Sequence, residues 1–188
     1  MADNSRLIAK ILRDIRVELS SEFDRNFERQ AFFSQSWERH HSPVRQNGHI
    51  LVNTGTLRRS IRAHSDADSI TFSSDLPYAA IHNDGGKIKV TAKMKRFFWH
   101  KYYEAVGGFG RKKNGEKRND KRNAHLSTLA EFYKHMALMK VGSEISIPRR
   151  RFLGTSPELE SQVSGLIEKN LEEYFNNNVE KILKKYDK

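Results

Sequence analysis

Hydrophobic positions near the N-terminus follow a helical period. They recur every three or four residues from Leu7 to Ala31, which predicts one long helix over residues 4–35 with its N-cap among residues 3–5. The residues between the apolar positions are largely charged or polar. The segment is therefore typical of an amphipathic helix that buries one face.

The C-terminal segment has the clearest helical pattern. Ser156 is a typical N-cap, and Pro157 suits the first helical turn. Apolar residues then keep helical spacing to Tyr186, over about thirty residues or roughly 45 Å at 1.5 Å per residue. A compact domain of this size does not need such a length. Two interpretations stay open: the long helices pack on each other or on a sheet, or one end packs on a neighbouring subunit.

The middle of the chain changes to short elements separated by turn-forming residues. Alternating apolar and polar residues indicate strands, and Gly or Pro marks most of the boundaries. The predicted elements are a loop over 38–53, a short helix capped by Asn53 or Thr54, strands at 61–64 and 69–73, a short helix over 77–82, a strand near 88–90, helices over 91–105 and 125–140, and a strand over 144–148.

Positive charge is concentrated in one segment. The 188-residue chain carries a net charge of +11, of which +10 falls in residues 87–123 and +1 in the remainder. Such a segment attracts phosphate or an acidic protein surface. The alternative is a solvated loop that only keeps the protein in solution. The candidate contacts are Lys93, Lys95, Arg96, Arg111, Lys112, Lys113, Lys117, Arg118, Lys121 and Arg122.

The same segment predicts an inserted arm within a single domain. Residues 91–142 are interpreted as a helical insertion, and residues 107–123, rich in Gly, Asn, Lys and Arg, predict a mobile basic loop. The stretch 93–103 mixes aromatic and basic residues, so it could stack nucleic-acid bases. Helical spacing explains most of these aromatics as a packed stripe of Phe98, Tyr102 and Ala105, which is the interpretation we favour.

The composition excludes several classes of protein. The chain has no cysteine, so disulfides and cysteine-ligated metals are impossible. Its apolar runs fall short of the roughly 18 residues that a membrane span requires. The polar start lacks the apolar core of a signal peptide. We therefore expect a soluble protein that is used without secretion and without contact with a membrane.

Candidate catalytic residues are sparse. His40 and His41 lie near Glu38, but the sequence gives no further metal ligands for them. His82 and Asp84 offer an imidazole and a carboxylate, and a hydrogen-bonding role before the Gly pair explains them better than catalysis. A metal-dependent nuclease would need clustered carboxylates. The sequence therefore predicts no enzyme, no metal and no cofactor.

Four segments, at 51–61, 76–86, 93–103 and 147–154, carry recognisable motifs. The motif residues outside the arm are Thr54, Gly55, Leu57, Ile61, Tyr78, His82, Gly85, Gly86, Pro148, Phe152 and Leu153. Gly55 predicts a tight turn beside Thr54, and Tyr78 and Ile81 are expected to bury one face of the short helix. The order and spacing of the segments resemble the phage virion morphogenesis family, which includes tail-completion proteins of Mu-like and related contractile-tailed phages.

The chain departs from the family pattern at two places. Arg151 stands where the family often has Pro, which suggests a looser turn before Phe152 and Leu153. About sixty residues separate the Gly pair from Pro148, whereas shorter relatives cross this gap more directly. This longer gap is the reason for interpreting residues 91–142 as an insertion.

The resemblance implies a fold and a function. The fold would be α+β, with a short antiparallel sheet packed against long N- and C-terminal helices and an inserted basic helical arm. The function would be structural: tail completion or head–tail joining through a homo-oligomeric ring, in contact with other tail or connector proteins. Phage DNA is a further candidate partner. The protein would be part of the virion and would assemble in the bacterial host cytoplasm. A nucleic-acid-binding protein that uses residues 87–123 is the alternative.

Overall fold

The computed structural model describes residues 2–39, 42–45 and 48–186. The chain forms two compact units. The first unit comprises residues 1–37, 49–83 and 150–188, and the second comprises residues 38–48 and 84–149. Helices and short antiparallel strands occur in both, so the predicted α+β class is confirmed.

The chain alternates helices with pairs of short strands. The helices are α1 (Ala2–Arg29), α2 (Thr56–Arg59), α3 (Ala79–Asp84), α4 (Ala92–Gly107), α5 (Lys121–Leu138) and α6 (Pro157–Tyr186), and the strands are β1 (Ala31–Phe32), β2 (Gln35–Ser36), β3 (Ile61–Ser65), β4 (Ile70–Ser74), β5 (Gly86–Lys89) and β6 (Glu144–Ile147). A 3-10 turn spans Pro43–Arg45.

In the first unit, the two long helices pack against each other in antiparallel orientation. Phe23 lies near the end of α1 and shares a core cluster with Leu159 at the start of α6. Lys10, nearer the start of α1, contacts Asn170 and Glu173 further along α6. The helical spacing of both segments therefore reflects a shared buried seam, as one of the two interpretations predicted. At the start of α6, Ser156 accepts a hydrogen bond from the amide of Leu159 at 3.2 Å, which confirms the predicted N-cap.

The N-terminal helix differs from its prediction at both ends. It begins at Ala2, ahead of the proposed caps, and it ends at Arg29 rather than at residue 35. Gln30 and Phe33 both take positive φ angles, +58° and +51°, which turn the chain into the β1–β2 hairpin. Ala31 continues the helical period of α1. It is buried, as are Phe32 and Phe33, but these residues belong to the hairpin and not to the helix.

The strands form three separate two-stranded sheets among the described residues, instead of the one sheet that the resemblance implied. Strands β3 and β4 pair antiparallel with Ile61 opposite Ser74, and the turn falls where the sequence predicted it. Phe72 on β4 packs edge-on against Phe23, with ring centroids 4.9 Å apart. This hairpin therefore lies on the buried side of α1, in the first unit.

The second unit is built on a helical hairpin closed by a short sheet. Strands β5 and β6 pair antiparallel, with Gly86 opposite Ile147. Helices α4 and α5 pack through three buried alanines, Ala105, Ala130 and Ala137. Small side chains at the contact let two helices approach closely. Phe98 stacks on Tyr133 at 6.4 Å, so the interpretation of the aromatic stripe as packing residues is confirmed for Phe98.

Candidate interaction surfaces

The first motif forms a tight turn into α2. Gly55 has a φ of +73°, the left-handed conformation that favours glycine, so the predicted turn is confirmed. The predicted cap is wrong: Gly55 itself occupies the N-cap position, and the hydroxyl of Thr54 contacts that of Thr56 instead. Leu57 is buried, and Ile61 packs against the same core cluster.

The second and fourth motifs meet in the first unit through backbone hydrogen bonds. The side-chain oxygen of Asn83 accepts from the amides of Phe152 and Leu153, both at 2.9 Å. The amide of Arg150 donates to the carbonyl of His82 at 2.8 Å. Segments almost seventy residues apart in the chain are therefore joined at one point.

Phe152 is the centre of this meeting point. It is 1% exposed and lies 5.2 Å from the ring of Phe27. The side chain of Asn26, also buried, donates to the carbonyl of Phe152 and accepts from the amide of Phe33. The segment around Phe152 is thus held by both aromatic packing and buried amide hydrogen bonds.

Arg151, the residue that departs from the family pattern, is anchored at two positions. Its carbonyl accepts a hydrogen bond from the indole of Trp37 at 2.7 Å. Its guanidinium lies over the ring of Phe32, 4.8 Å from the centroid. The first of these contacts needs only a backbone carbonyl, and the second is specific to a cationic side chain.

Tyr78 differs from its predicted role. The sequence suggested that Tyr78 and Ile81 bury one face of the short helix, but Tyr78 is 40% exposed, and Ala79 is the buried residue. The Tyr78 ring lies edge-on to His82 at 6.1 Å. Pro77 and Tyr78 precede α3, which begins at Ala79, so the tyrosine stands outside the helix whose face it was expected to cover.

The Gly pair lies beside Pro148 in the second unit. Pairing of Gly86 with Ile147 brings these segments together across the sixty-residue gap. Gly85 has a φ of +71°, and a Cβ built on it would lie 2.8 Å from the backbone nitrogen of Arg149. Both the backbone angle and the close approach therefore require glycine there.

An ion-pair network links α1 to α2. Arg58 donates to both carboxylate oxygens of Asp24 and to Glu28, the latter at 2.7 Å. The hydrogen bonds from Arg58 lower the pKa of Asp24, and those to Asp24 and Glu28 raise the pKa of Arg58. The network fixes the motif turn to the N-terminal helix.

The ten basic candidates separate into two groups. Lys93, Lys95 and Arg96 lie in the first turns of α4. The other seven lie on the connection after α4 and on the first turn of α5, roughly 20 Å further along the helix axis at 1.5 Å per residue. The structure therefore gathers seven of the ten candidates on one short segment: Arg111, Lys112, Lys113, Lys117, Arg118, Lys121 and Arg122.

We define residues 109–122 as the basic hairpin. Arg111 and Lys117 form an antiparallel bridge, and the turn between them contains Gly115 at a φ of +84°. Asn123, 1% exposed, holds the base of the hairpin. Its side chain accepts from the amide of Gly110 and donates to the carbonyls of Gly110 and Arg118, at 2.7–2.8 Å. The sequence expectation that this segment is mobile stays a prediction, and the structure gives it this hydrogen-bonded conformation.

The charge of the basic hairpin is mostly uncompensated. It has seven basic and two acidic residues, a net charge of +5. Glu116 pairs with Lys112 at 3.2 Å. A hydrogen bond from the Asn114 side chain and then one from Lys112 lower the pKa of Glu116. Asp120 caps α5 by accepting from the amide of Asn123 at 2.8 Å.

One face of α4 remains partly exposed. Trp99 and Tyr103 stack at 5.9 Å with an interplanar angle of 26°, and Tyr103 and Phe97 are more than half exposed. Arg96 and His100, on the same helix, are also exposed. This face combines aromatic rings with basic side chains.

The second half of α6 carries an apolar stripe that the first unit leaves exposed. Phe175, Val179, Ile182 and Leu183 are each more than half exposed. Phe175 follows the packed Leu166 by nine residues, which is about two and a half helical turns and places it on the opposite side of the helix. The stripe is therefore separate from the seam with α1.

The described residues bear on metal binding and on membrane spanning. They contain no group of three or more His, Asp or Glu side chains that could hold a metal ion. His40 and His41, the histidines considered as metal ligands, lie outside the described residues. None of the described helices is both long and apolar enough to cross a membrane.

Sequence reasoning missed the asparagines that join these segments. Asn26, Asn83 and Asn123 each bridge backbone groups that are distant in the chain or lie across a turn. An amide side chain can donate and accept at once, so it suits a junction between two loops. A pattern of hydrophobic positions carries no signal for this role. The Asp-Asn-Gly composition near Asn83 indicated only a turn.

Comparison with known proteins gives one match. No curated protein and no solved structure shows significant similarity to this chain. The model of the phage virion morphogenesis family matches residues 1–172, which include all four motif segments and both candidate groups of basic residues. The protein therefore belongs to the phage virion morphogenesis family.

Proposed function

We propose that this protein is a non-enzymatic structural component of the virion that acts in tail completion or head–tail joining. Membership of the morphogenesis family supports a structural role. The motif residues support it as well, because Gly55, Leu57 and Phe152 act in turns and packing. In this proposal the chain assembles in the host cytoplasm and contacts other tail or connector proteins.

We propose further that the chain acts as a closed ring of identical subunits. In a ring, each subunit presents two different faces that match each other. The observation that carries this proposal is the exposed stripe on α6, because contiguous exposed apolar surface marks an interaction site in a protein that is otherwise rich in charge. Each subunit would cover the stripe with a different surface of its neighbour.

The oligomeric state tests this proposal. Mass photometry and native mass spectrometry of the full chain should give a single closed stoichiometry above the dimer. Replacing two residues of the stripe, Phe175→Ser with Ile182→Ser, should shift the population towards monomer, because the apolar area that drives association is lost. Asn176→Ser, on the same helix and also exposed, is the matched control and should leave the stoichiometry unchanged.

Two results would contradict the proposal. A wild-type chain that stays monomeric at high micromolar concentration would exclude a ring formed by the chain alone. Turnover of a substrate by the purified protein, lost on replacing His82 or Asp84, would exclude the non-enzymatic role.

A further inference from the structure

We propose that the basic hairpin binds the phosphate backbone of double-stranded DNA, independently of base sequence. This inference goes beyond ring assembly and does not depend on it. The basic hairpin, residues 109–122, includes the start of α5 and carries seven basic side chains.

The first observation is the lack of carboxylate partners. Within the described residues, Lys112 is the member of the group that forms an ion pair, with Glu116. Arg111 and Arg118 donate to the backbone carbonyls of Gly115 and Arg111, at 2.9 and 3.0 Å. These contacts orient the guanidinium groups without neutralising them. The cations are thus held close to one another at a cost in mutual repulsion, which a polyanion would relieve.

The second observation is the position of Lys121 and Arg122. They lie in the first turn of α5, which contains no acidic residue, and the capping carboxylate of Asp120 just before them compensates only part of the positive helix end. The helix dipole makes the N-terminus positive, so it repels these cations and favours anions. The placement is unfavourable for the isolated helix and becomes favourable when a phosphate group is bound nearby.

The third observation is that the hairpin has a defined shape. Asn123 fixes its base by three side-chain hydrogen bonds to Gly110 and Arg118. Lys117 lies 4.0 Å above the centroid of the Phe109 ring. Cations held in a fixed array lose less conformational entropy on binding than cations on a flexible chain.

Duplex DNA fits this array better than an acidic protein surface does. DNA presents about one negative charge per 1.7 Å of helix axis, without intervening positive charges. Side chains on a protein surface are mixed in sign, and a hairpin of net charge +5 would meet repulsive partners among them. We therefore assign the hairpin to DNA, and an acidic protein surface becomes an outcome of the test.

The experiment measures binding of a short duplex DNA by the full chain. Fluorescence anisotropy of a labelled duplex of about 30 base pairs would be followed from about 50 to 300 mM NaCl. The test variant is K113Q/K121Q/R122Q, because these three exposed side chains form no hydrogen bond or ion pair with other described residues. The matched control is R16Q/R62Q/K169Q, which removes the same charge from exposed positions of the first unit.

Wild type should bind with a steep dependence on salt. The test variant should bind more weakly, and the slope of log K against log salt should become shallower by about 3, since each phosphate contact contributes about 0.9. The control variant should retain the wild-type slope. Mass photometry of the same samples should give the wild-type stoichiometry for all three proteins, so a failure here is distinguishable from a failure of ring assembly.

Three results would overturn the proposal. One is the absence of binding by wild type at the lowest salt concentration. Another is an equal loss of affinity in the test and control variants, which would indicate only the net charge of the chain. The third is binding of poly-L-glutamate at least as tight as binding of DNA at equal salt, which would reassign the hairpin to an acidic protein surface.

Discussion

The two units are stabilised in different ways. The first unit buries large aromatic side chains, with Phe27, Trp37 and Phe152 in one cluster and Phe23 in the other. The buried positions of α4 and α5 in the second unit are mainly alanines, while Phe97 and Tyr103 remain exposed. Apolar burial therefore contributes most to the stability of the first unit, whereas hydrogen bonds and turn glycines contribute a larger share of the stability of the second.

The same contrast appears in charge. Residues 87–123, which lie within the second unit, carry almost the whole net charge of the chain. In the first unit, basic residues such as Arg58 pair with carboxylates. Basic side chains that pair with carboxylates contribute to folding, whereas basic side chains without such a pair are available to bind a partner. The difference concentrates unpaired positive charge, and with it the proposed DNA contact, in the second unit.

The largest loss of stability is expected on removing the ring of Phe152, which is buried in the core of the first unit. Phe152→Ala should lower the free energy of unfolding of this unit by about 3–5 kcal/mol, because it leaves a cavity beside Phe27. Hydrogen exchange of α1 and α6 peptides measures the effect separately from the second unit. Val17→Ala is the control, since that side chain lies on α1 and is 61% exposed. Equal protection in the two variants would show that burial of Phe152 does not stabilise the unit.

A smaller effect is expected for the buried amide of the second unit. Asn123→Ala removes three hydrogen bonds and leaves groups of Gly110 and Arg118 unpaired. A loss of about 2 kcal/mol in local stability should follow. Hydrogen exchange of residues 108–120 should accelerate, while exchange in the first unit stays constant.

The control for this change is Asn114→Ala. Asn114 lies at the exposed tip of the hairpin, where its side chain accepts from the amide of Glu116 at 3.2 Å. Its replacement should have a much weaker effect on the base of the hairpin. If both variants opened the hairpin equally, the assignment of Asn123 as its anchor would be wrong.

A matched pair of glycines separates backbone strain from steric clash. Gly85 and Gly142 both have positive φ, +71° and +89°. A Cβ on Gly85 meets the backbone of Arg149, whereas one on Gly142 meets nothing within 4 Å. Gly142→Ala should cost about 1 kcal/mol from conformation alone, and Gly85→Ala should cost about 1–2 kcal/mol more. The stabilities of the two variants are compared by denaturant titration, with unfolding monitored by hydrogen exchange of the β5 and β6 peptides. Equal losses of stability would exclude a contribution from the clash.

The sequence predicted those elements whose periodicity arises from burial. The positions of β3, β4 and α6 follow from alternation or helical spacing, and the structure confirms them within one or two residues at their ends. The end of α1 could not be predicted in this way. Ala31 satisfies the helical spacing as well as it satisfies the hairpin, and the positive φ at Gln30 carries no signal in a residue type other than glycine.

The junctions between motifs were beyond sequence reasoning for a different physical reason. The Gly pair and Pro148 were identified as motif residues, but their proximity depends on β5 pairing with β6 across about sixty residues. The roles of Asn83 and Asn123 depend on which backbone groups are brought near them. The sequence revealed the charge of the basic segment and its division between a helix and a loop, and the structure added the antiparallel bridge between Arg111 and Lys117 that shapes the loop.

The smallest expected effect concerns the paired charges of the first unit. Arg58 lowers the pKa of Asp24, so the folded-state pKa lies below the unfolded value of about 3.9. The ion pair therefore contributes its full stability above the unfolded pKa of Asp24. This contribution is lost as the pH falls through the lower pKa of the folded state. Asp24 is about half exposed, which limits the contribution to at most about 1 kcal/mol.

Asp24→Asn should remove this part of the pH dependence. Between about pH 5 and pH 2, the stability of wild type should decrease more steeply than that of the variant, because only wild type must protonate a carboxylate with a lowered pKa. The measurement at each pH is the denaturant concentration at which the α1 and α2 peptides lose half of their protection from hydrogen exchange. Asp68→Asn, in the β3–β4 turn and without an ion pair to any described residue, should retain the wild-type slope. Identical pH profiles for wild type and Asp24→Asn would mean that solvent screens the pair completely, and the contrast between paired and unpaired charge would then carry no energetic weight in the first unit.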